Sequence, residues 1–167
     1  MNNLINPKIF DWISLSVFAL MCYPFIHCLI FKDMTYAWMA VGIIVVHFIT
    51  SGLKILTSRY SDHPMFKRPH KANGCNMFCQ GGDVSRNPGF PSGHVAHATF
   101  FVTFIIFVNL NNKPDYFLDT IGVIYILLVG LARYMKNCHN LEQVIAGILN
   151  GFIIGSLWAF LYTLIAT

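Results

Sequence analysis

Charged side chains are scarce in this chain. Only 11% of its 167 residues are Asp, Glu, Lys or Arg, whereas 56% are hydrophobic and 15% are aromatic. Soluble domains normally carry about a quarter charged residues, so this composition excludes an ordinary soluble fold. The bilayer must cover most of the apolar surface, and the length suits a single domain.

Acidic residues and basic runs are also few. The chain has seven Asp and Glu, and its eleven Lys and Arg form no continuous run. The sequence therefore predicts neither an acidic metal cluster nor a basic arm that binds nucleic acid. Five cysteines in such an apolar chain do not make the disulfide framework of a small secreted domain.

Five apolar segments are long enough to cross a bilayer, which takes about 20 residues in a helix. No small-residue cleavage site follows the first, so we interpret it as a retained span and not as a signal peptide. We predict an all-α integral membrane bundle of about five transmembrane helices, forming one domain over residues 1–167. The predicted spans are Phe10–Phe31, Tyr36–Leu56, Pro91–Leu110, Tyr116–Ala132 and Gln143–Ala166.

The longest polar stretch, Thr57–Phe90, separates the second span from the third. Its charges, prolines and glycines are typical of an extramembrane loop, and a loop of this length in a compact domain is usually functional or disordered. Because five spans alternate in direction, this loop, the N-terminus and the polar turn Arg133–Glu142 should share one face. The C-terminus should lie on the other face.

Three glycines recur every fourth residue in the last span. Gly147, Gly151 and Gly155 therefore fall on one face of a helix. Small residues at this spacing predict a close contact with another helix, as in other membrane bundles.

The stretch Gly89–His94, with the letters GFPSGH, precedes a long apolar run. Pro91 suits a helix start, Ser92 can act as the N-cap, and Gly93 lets a ligand approach the backbone. The unpaired N–H groups of a first helical turn favour an anion. His94 adds an imidazole that exchanges a proton near neutral pH. The stretch predicts a phosphate-binding turn.

Cations and histidines gather on the same predicted side of the membrane. Arginine offers phosphate a planar fork of donors and lysine a point charge, so both can offset the charge that develops in phosphoryl transfer. One histidine can attack phosphorus while another protonates the leaving oxygen. The candidates are Lys54, Arg68, Ser92, His94, Arg133 and His139.

These residues resemble three motifs of the type 2 phosphatidic acid phosphatase superfamily, which also includes vanadium haloperoxidases and polyprenyl diphosphate phosphatases. The first motif ends in Arg-Pro and is similar to Arg68-Pro69. The second, Pro-Ser-Gly-His, is intact at residues 91–94. The third is arginine, five residues, histidine, three residues and aspartate, and it resembles Arg133, His139 and Gln143.

The resemblance covers roughly residues 54–155 and implies a metal-independent hydrolase of lipid phosphates. It implies that His139 is the nucleophile that forms a phosphohistidine and that His94 is the general acid. Gln143 would orient the nucleophile. The implied phosphate-binding residues are Lys54, Arg68, Ser92, Gly93 and Arg133.

Two positions depart from the family pattern. The family lysine, with six residues between it and the Arg-Pro arginine, falls on Ser61; Lys54, at the end of an apolar helix, is our preferred candidate over Lys67. The family aspartate falls on Gln143, which can accept a hydrogen bond from imidazole but stabilises an imidazolium less. The glutamine resembles the dolichyl diphosphate phosphatase branch and favours a polyprenyl diphosphate over a glycerolipid phosphate.

Other polar residues allow more than one interpretation. We interpret His27, His47 and His97, in or beside apolar helices, as groups bonded within the bundle. Three cysteines near the predicted site, together with His70, could form either a zinc site or a disulfide. A disulfide suits a lumenal face. These cysteines are Cys75, Cys79 and Cys138.

Two functions follow from these features. The first is a lipid phosphatase whose substrate reaches the site from the bilayer. The second is a weak or inactive relative that binds phospholipid or acts as a membrane scaffold, suggested by the departures at Ser61 and Gln143. The resembling enzymes mostly act on the lumenal or external side, and we expect the site there, although its excess of Lys and Arg favours the cytosol by the positive-inside rule.

Overall fold

The computed structural model describes residues 7–60, 63–80, 82–110 and 114–166. All regular elements within these ranges are α-helices, apart from two isolated β-bridges, and each helix is long and apolar enough to span a membrane. The predicted all-α bundle of five spans is confirmed. The helices are α1 (Pro7–Phe31), α2 (Met34–Ser58), α3 (Gly93–Leu110), α4 (Tyr116–Met135) and α5 (Leu141–Ala166).

The helix ends differ from the sequence-based prediction by a few residues. The fourth span was predicted to end at Ala132, but α4 continues to Met135, and α5 begins at Leu141 instead of Gln143. The third span was predicted to begin at Pro91, whereas α3 begins at Gly93. Arg133 remains inside α4 because its guanidinium donates to the Ser14 hydroxyl and to the Cys75 carbonyl.

Aspartate caps begin two of the helices. Asp33 accepts a hydrogen bond from the Thr35 amide at the start of α2. Asp115 accepts from the amides of Phe117 and Leu118 at the start of α4. Each cap satisfies amide groups that have no partner inside the helix.

The centre of the bundle is α3, the most buried of the five helices. Its closest partner is α5, because the three glycines of α5 face α3 backbone. A Cβ on Gly147 would lie 2.7 Å from the Ser92 carbonyl oxygen, and one on Gly155 would lie 3.0 Å from that of Phe100. A Cβ on Gly151 would collide with the Ala96 carbonyl oxygen. The predicted small-residue contact is confirmed.

The outer surface of the bundle is apolar. Large side chains such as Leu29, Phe48 and Phe117 are 81%, 70% and 75% exposed. Several polar side chains are buried instead, including Thr50, Arg133 and Gln143. An apolar exterior, with polar side chains buried among the apolar ones inside, fits a protein whose surroundings are hydrocarbon.

The segment between α2 and α3 is tied to the connection between α4 and α5. A disulfide joins Cys75 to Cys138. Side chains of the α4–α5 connection donate hydrogen bonds to carbonyl groups of the segment. The donor and acceptor pairs are Asn140 with Pro64, Asn137 with His70, and Lys136 with Gly74.

The start of α1 lies at this same end of the bundle. Asp11 forms an ion pair with Lys136, and its carbonyl accepts a weak hydrogen bond from the Cys79 thiol. The polar segment therefore rests on parts of α1, α4 and α5, all of which meet at the end where the candidate residues gather.

Candidate active site

A cavity of about 160 Å³ opens at this end of the bundle between α2 and α3. Five of the eight predicted site residues line it, namely Lys54, Arg68, Gly93, His94 and His139. The other lining residues are His47, Thr50, Ser51, Cys75, Met77 and His97.

His139 lies in the short connection between α4 and α5 and is only 2% exposed. Its Nδ1 is 3.1 Å from Oε1 of Gln143. The side-chain nitrogen of Gln143, Nε2, donates to the backbone carbonyls of Met65 at 3.1 Å and Lys67 at 2.8 Å. These two bonds fix the amide with its oxygen toward the imidazole, so Nδ1 carries the hydrogen and Nε2 keeps a lone pair.

The environment of His139 keeps its ring neutral. Burial lowers the pKa of His139 well below its ordinary value of 6.5, and the cations Arg68, Lys54 and Arg133 lower it further. The hydrogen bond to Gln143 opposes this shift. A neutral imidazole with a free Nε2 lone pair can act as a nucleophile at neutral pH.

Lys54 and Arg68 bring two positive charges to the cavity. Lys54 is in the last turns of α2, and Arg68 comes from the polar segment, where one guanidinium nitrogen donates to the Cys138 carbonyl at 2.9 Å. The Arg68 Nε is buried and has no partner. Within the described residues, no Asp or Glu lines this cavity, so the arrangement suits an anion.

Of the two candidate lysines, the structure brings only Lys54 to the cavity. The side chain of Lys67 is exposed, and its backbone carbonyl accepts from Gln143 instead. Ser61, where the family lysine would fall, lies outside the described residues.

Gly93 leaves open space where α3 begins. A Cβ at this position would meet only Cγ2 of Thr50, 4.0 Å away. Protein packing therefore does not require a glycine here, but a ligand that approached the backbone closely would. The first N–H groups of α3 have no partner inside the helix and can donate to that ligand.

Ser92 precedes α3 and is fully buried, but its hydroxyl makes no capping bond. The hydroxyl oxygen has no hydrogen-bond partner, and the Ser92 amide donates to the Gln143 carbonyl at 3.0 Å. The expected N-cap bond is therefore absent, and the hydroxyl of Ser92 is unsatisfied beside the first turn of α3.

Arg133 is close to the cavity without lining it. Its guanidinium donates to the Ser14 hydroxyl at 3.2 Å and to the Cys75 carbonyl at 2.6 Å, and only Nε lacks a partner. The structure thus gives Arg133 a role in joining α1 and the polar segment to α4, while its charge still acts on His139.

Three histidines besides His139 line the cavity. His94 is 7% exposed, and its Nε2 has no partner. The sequence led us to interpret His47 and His97 as groups bonded within the bundle. His97 does bond to the Gly93 carbonyl, but that both residues line the cavity was not predicted. Helical spacing could have indicated that they line the cavity, because residues four or seven apart lie on the same face of a helix. His97 is four residues after Gly93, and His47 is seven residues before Lys54.

The cysteine alternatives are resolved by the disulfide between Cys75 and Cys138, whose Cα atoms are 5.4 Å apart. Cys79 is free. In the part of the chain that the structure describes, no group of His, Cys, Asp and Glu could hold a metal ion. The considered zinc site with Cys75, Cys79 and His70 does not form.

Comparison with protein-family models gives a match to the PAP2 superfamily over residues 35–166. The matched region runs from the start of α2 to the end of α5 and contains all eight predicted site residues. Comparison with curated proteins and with solved structures finds no match.

Proposed function

Because the chain belongs to the PAP2 superfamily, we propose that it is a membrane phosphatase that removes the terminal phosphate of a lipid phosphate or polyprenyl diphosphate. Superfamily membership itself implies phosphatase-type chemistry. The observation that carries the proposal is the pairing of His139 with Gln143 beside a cavity that holds Lys54 and Arg68.

The reaction proceeds through a phosphohistidine. Nε2 of His139 forms a bond to phosphorus while the bond from phosphorus to the lipid oxygen breaks, and that oxygen keeps the electron pair. His94, which lines the same cavity and enters the reaction as the imidazolium, gives the leaving oxygen a proton and becomes neutral. Neutral His94 then takes a proton from water, whose oxygen attacks phosphorus and releases inorganic phosphate and free His139.

Positive charge stabilises the phosphoryl group during both steps. Lys54 and Arg68 face the cavity with no acidic lining residue among those described. The open space at Gly93 brings the first amides of α3 within reach, and Ser92 adds an unsatisfied hydroxyl. Arg133 contributes mainly through its charge, because two of its nitrogens already bond to protein groups.

A lipid substrate is supported by an apolar groove next to the cavity. The groove has a volume of about 220 Å³ between α1 and α2, and His47 lines both it and the cavity. A hydrocarbon chain can therefore lie in the membrane while its phosphate reaches His139. The other groove residues are Phe18, Met21, Cys22, Phe25, Ile43 and Ile44.

The disulfide supports a lumenal or external site. Cys75 and Cys138 join the two polar segments that build the cavity, and disulfides persist in oxidising compartments. The excess of Lys and Arg on this side would favour the cytosol. Lys54 and Arg68 line the cavity, however, so their charge is explained by phosphate binding. The charge of Arg133 is explained by its place beside them and its bonds to Ser14 and Cys75.

Gln143 supports a polyprenyl diphosphate as the substrate. The amide occupies the place of the family aspartate, as in the resembling dolichyl diphosphate phosphatase branch. With no carboxylate to stabilise an imidazolium, a substrate with a good leaving group is preferred, and a lipid monophosphate leaves more readily than a lipid alcohol.

Phosphate release from detergent-solubilised protein tests this function. We expect turnover of lipid phosphates or diphosphates by the wild type and none by His139→Asn, whose amide can still donate to Gln143. If the wild type releases no more phosphate than His139→Asn on any lipid phosphate, the chain is instead a weak or inactive relative that binds phospholipid or acts as a scaffold.

A further inference from the structure

Three of the polar side chains that line the cavity lie deeper in the bundle than Lys54 and Gly93 and belong to none of the three motifs. Thr50 and His47 are on α2, one and two turns deeper in the bundle than Lys54. His97 is on α3, one turn deeper than Gly93. Together they form a second polar layer, which we call the inner layer.

His97 offers a buried nitrogen to a ligand. The side chain is 4% exposed, and its Nδ1 is 2.7 Å from the Gly93 carbonyl oxygen, so Nδ1 must donate. The other nitrogen, Nε2, is buried and has no partner. Leaving such a group unsatisfied is costly. A phosphoryl oxygen of a bound substrate would satisfy it once the ring is protonated, because Nε2 then donates.

Thr50 offers a hydroxyl hydrogen to the same space. The side chain is 2% exposed, and its oxygen accepts a bond of 2.9 Å from the Asn150 amide on α5. The hydroxyl hydrogen therefore remains to be donated. Thr50 also faces the open space at Gly93, because its Cγ2 is the atom that a Cβ there would meet.

His47 connects the inner layer to the apolar groove between α1 and α2. Its ring centroid is 5.7 Å from that of His97. Its side chain also lines the groove, so it stands where a substrate would change from polar headgroup to hydrocarbon. A group bound by the inner layer thus lies between the terminal phosphate and the chain.

The depth of the inner layer fits a second phosphate. One helical turn, about 5.4 Å, separates Thr50 from Lys54 and His97 from Gly93. The two phosphorus atoms of a diphosphate share one bridging oxygen, so a phosphate attached to the terminal one would reach this layer. We propose that His97 and Thr50, with His47 beside them, bind the chain-proximal phosphate of a lipid diphosphate. This inference rests on the proposed function, because it assumes that the terminal phosphate occupies the space near His139.

Binding of this phosphate determines the form of His97. A phosphoryl oxygen with negative charge favours the protonated ring, so His97 takes up a proton from water and donates from Nε2. Thr50 donates to another oxygen of the same group. Both contacts remain with the lipid monophosphate when it leaves, so they favour diphosphates over monophosphates as substrates.

Two substrates with the same chain separate this subsite from the rest of the site. Farnesyl diphosphate and farnesyl phosphate would be compared in detergent micelles with His97→Asn, which keeps a donor to Gly93 but lacks Nε2, and with Thr50→Val. We expect kcat/KM for the diphosphate to fall about tenfold to hundredfold in each variant. The value for the monophosphate should change less than about threefold.

The matched control is Thr99→Val. Like His97, Thr99 is buried on α3, and its hydroxyl has no partner among the described residues. Unlike His97, it does not line this cavity. Its variant should hydrolyse both substrates as the wild type does. Equal losses on both substrates in His97→Asn and Thr50→Val, or no loss on either, would overturn the inference.

A binding measurement keeps the two proposals distinguishable. If the wild type hydrolyses no lipid phosphate, the proposed function fails, and calorimetry with farnesyl methylenebisphosphonate and farnesyl phosphonate still tests the subsite. A Kd for the bisphosphonate that rises at least about tenfold in His97→Asn, with that for the phosphonate unchanged, supports the subsite. Equal changes for both analogues overturn it, and retained phosphonate binding shows that the variant is folded.

Discussion

At the residue scale, Gln143 explains how the site differs from the family pattern. Its oxygen accepts from His139 while its nitrogen donates to two carbonyls of the polar segment. A carboxylate could accept from the imidazole but has no hydrogen for the carbonyls of Met65 and Lys67. The glutamine therefore positions the proposed nucleophile and holds the segment that carries Arg68.

Gln143→Glu tests this double role. The carboxylate would face the two carbonyls, so we expect at least about a tenfold loss of turnover and a lower melting temperature, for roughly 1–3 kcal/mol of lost stability. Activity assays and thermal unfolding in detergent would measure both. Glu142→Gln, at an exposed neighbouring position, is the control, and wild-type activity and stability in Gln143→Glu would contradict the double role.

The two candidate lysines make a second test at this scale. Lys54 lines the cavity and Lys67 has an exposed side chain. Lys54→Met should lower kcat/KM about a hundredfold, as expected for one electrostatic contact worth about 3 kcal/mol, and Lys67→Met should have little effect. The reverse ranking in a phosphate-release assay would assign the motif to Lys67.

At the residue scale, the sequence predicted five of the eleven residues that line the cavity, but neither His47 nor His97 among them, and not all the contacts of the predicted residues. The turn Pro91–His94 could be recognised in the sequence because the residues that form it are consecutive in the chain. The partners of Arg133 could not, since Ser14 is on α1 and the Cys75 carbonyl is in the polar segment. Such contacts depend on how distant parts of the chain fold together.

At the scale of elements, the close contact between α3 and α5 fixes where the phosphate-binding turn lies. Gly147 packs against Ser92, directly before the first turn of α3. Four-residue spacing reveals such a contact from sequence alone, because it repeats on one helix face. The end of α4 and the start of α5 were predicted less accurately, because a charged residue is expected to end a span, whereas Arg133 lies inside α4.

Two alanine substitutions compare this contact with an open helix position. In Gly151→Ala the new methyl group would collide with the Ala96 carbonyl, so we expect the free energy of unfolding to fall by about 1–3 kcal/mol. In Gly52→Ala nothing lies within 4 Å of the new atom, and better helix propensity should leave stability unchanged or raised. Thermal unfolding in one detergent measures both, and equal melting temperatures would argue against tight packing at Gly151.

At the scale of the whole molecule, the chain separates an apolar exterior from a cationic site at one end of the bundle. Composition and alternation of the spans could predict this separation. The pairing of Cys75 with Cys138 could not be predicted, because several cysteines lie near the site in sequence and only the fold selects a pair.

Single introduced cysteines test the predicted topology. After replacement of Cys22, Cys28 and Cys79, an impermeant thiol reagent would be applied to intact cells that carry Asn2→Cys, Lys71→Cys or Ala166→Cys. We expect the first two positions to react from the outside and Ala166→Cys only after permeabilisation, because five spans place the chain ends on opposite faces. Labelling of Asn2→Cys and Ala166→Cys from the same side would contradict five spans.

The most direct test of the proposed mechanism is to trap the phosphoenzyme. Detergent-solubilised protein would be mixed with a lipid phosphate or diphosphate labelled in its terminal phosphate, quenched in alkali and mapped by mass spectrometry. The account predicts an acid-labile phosphate on His139 that is absent in His139→Asn. Label on another residue, or label that persists in His139→Asn, would contradict the central role of His139.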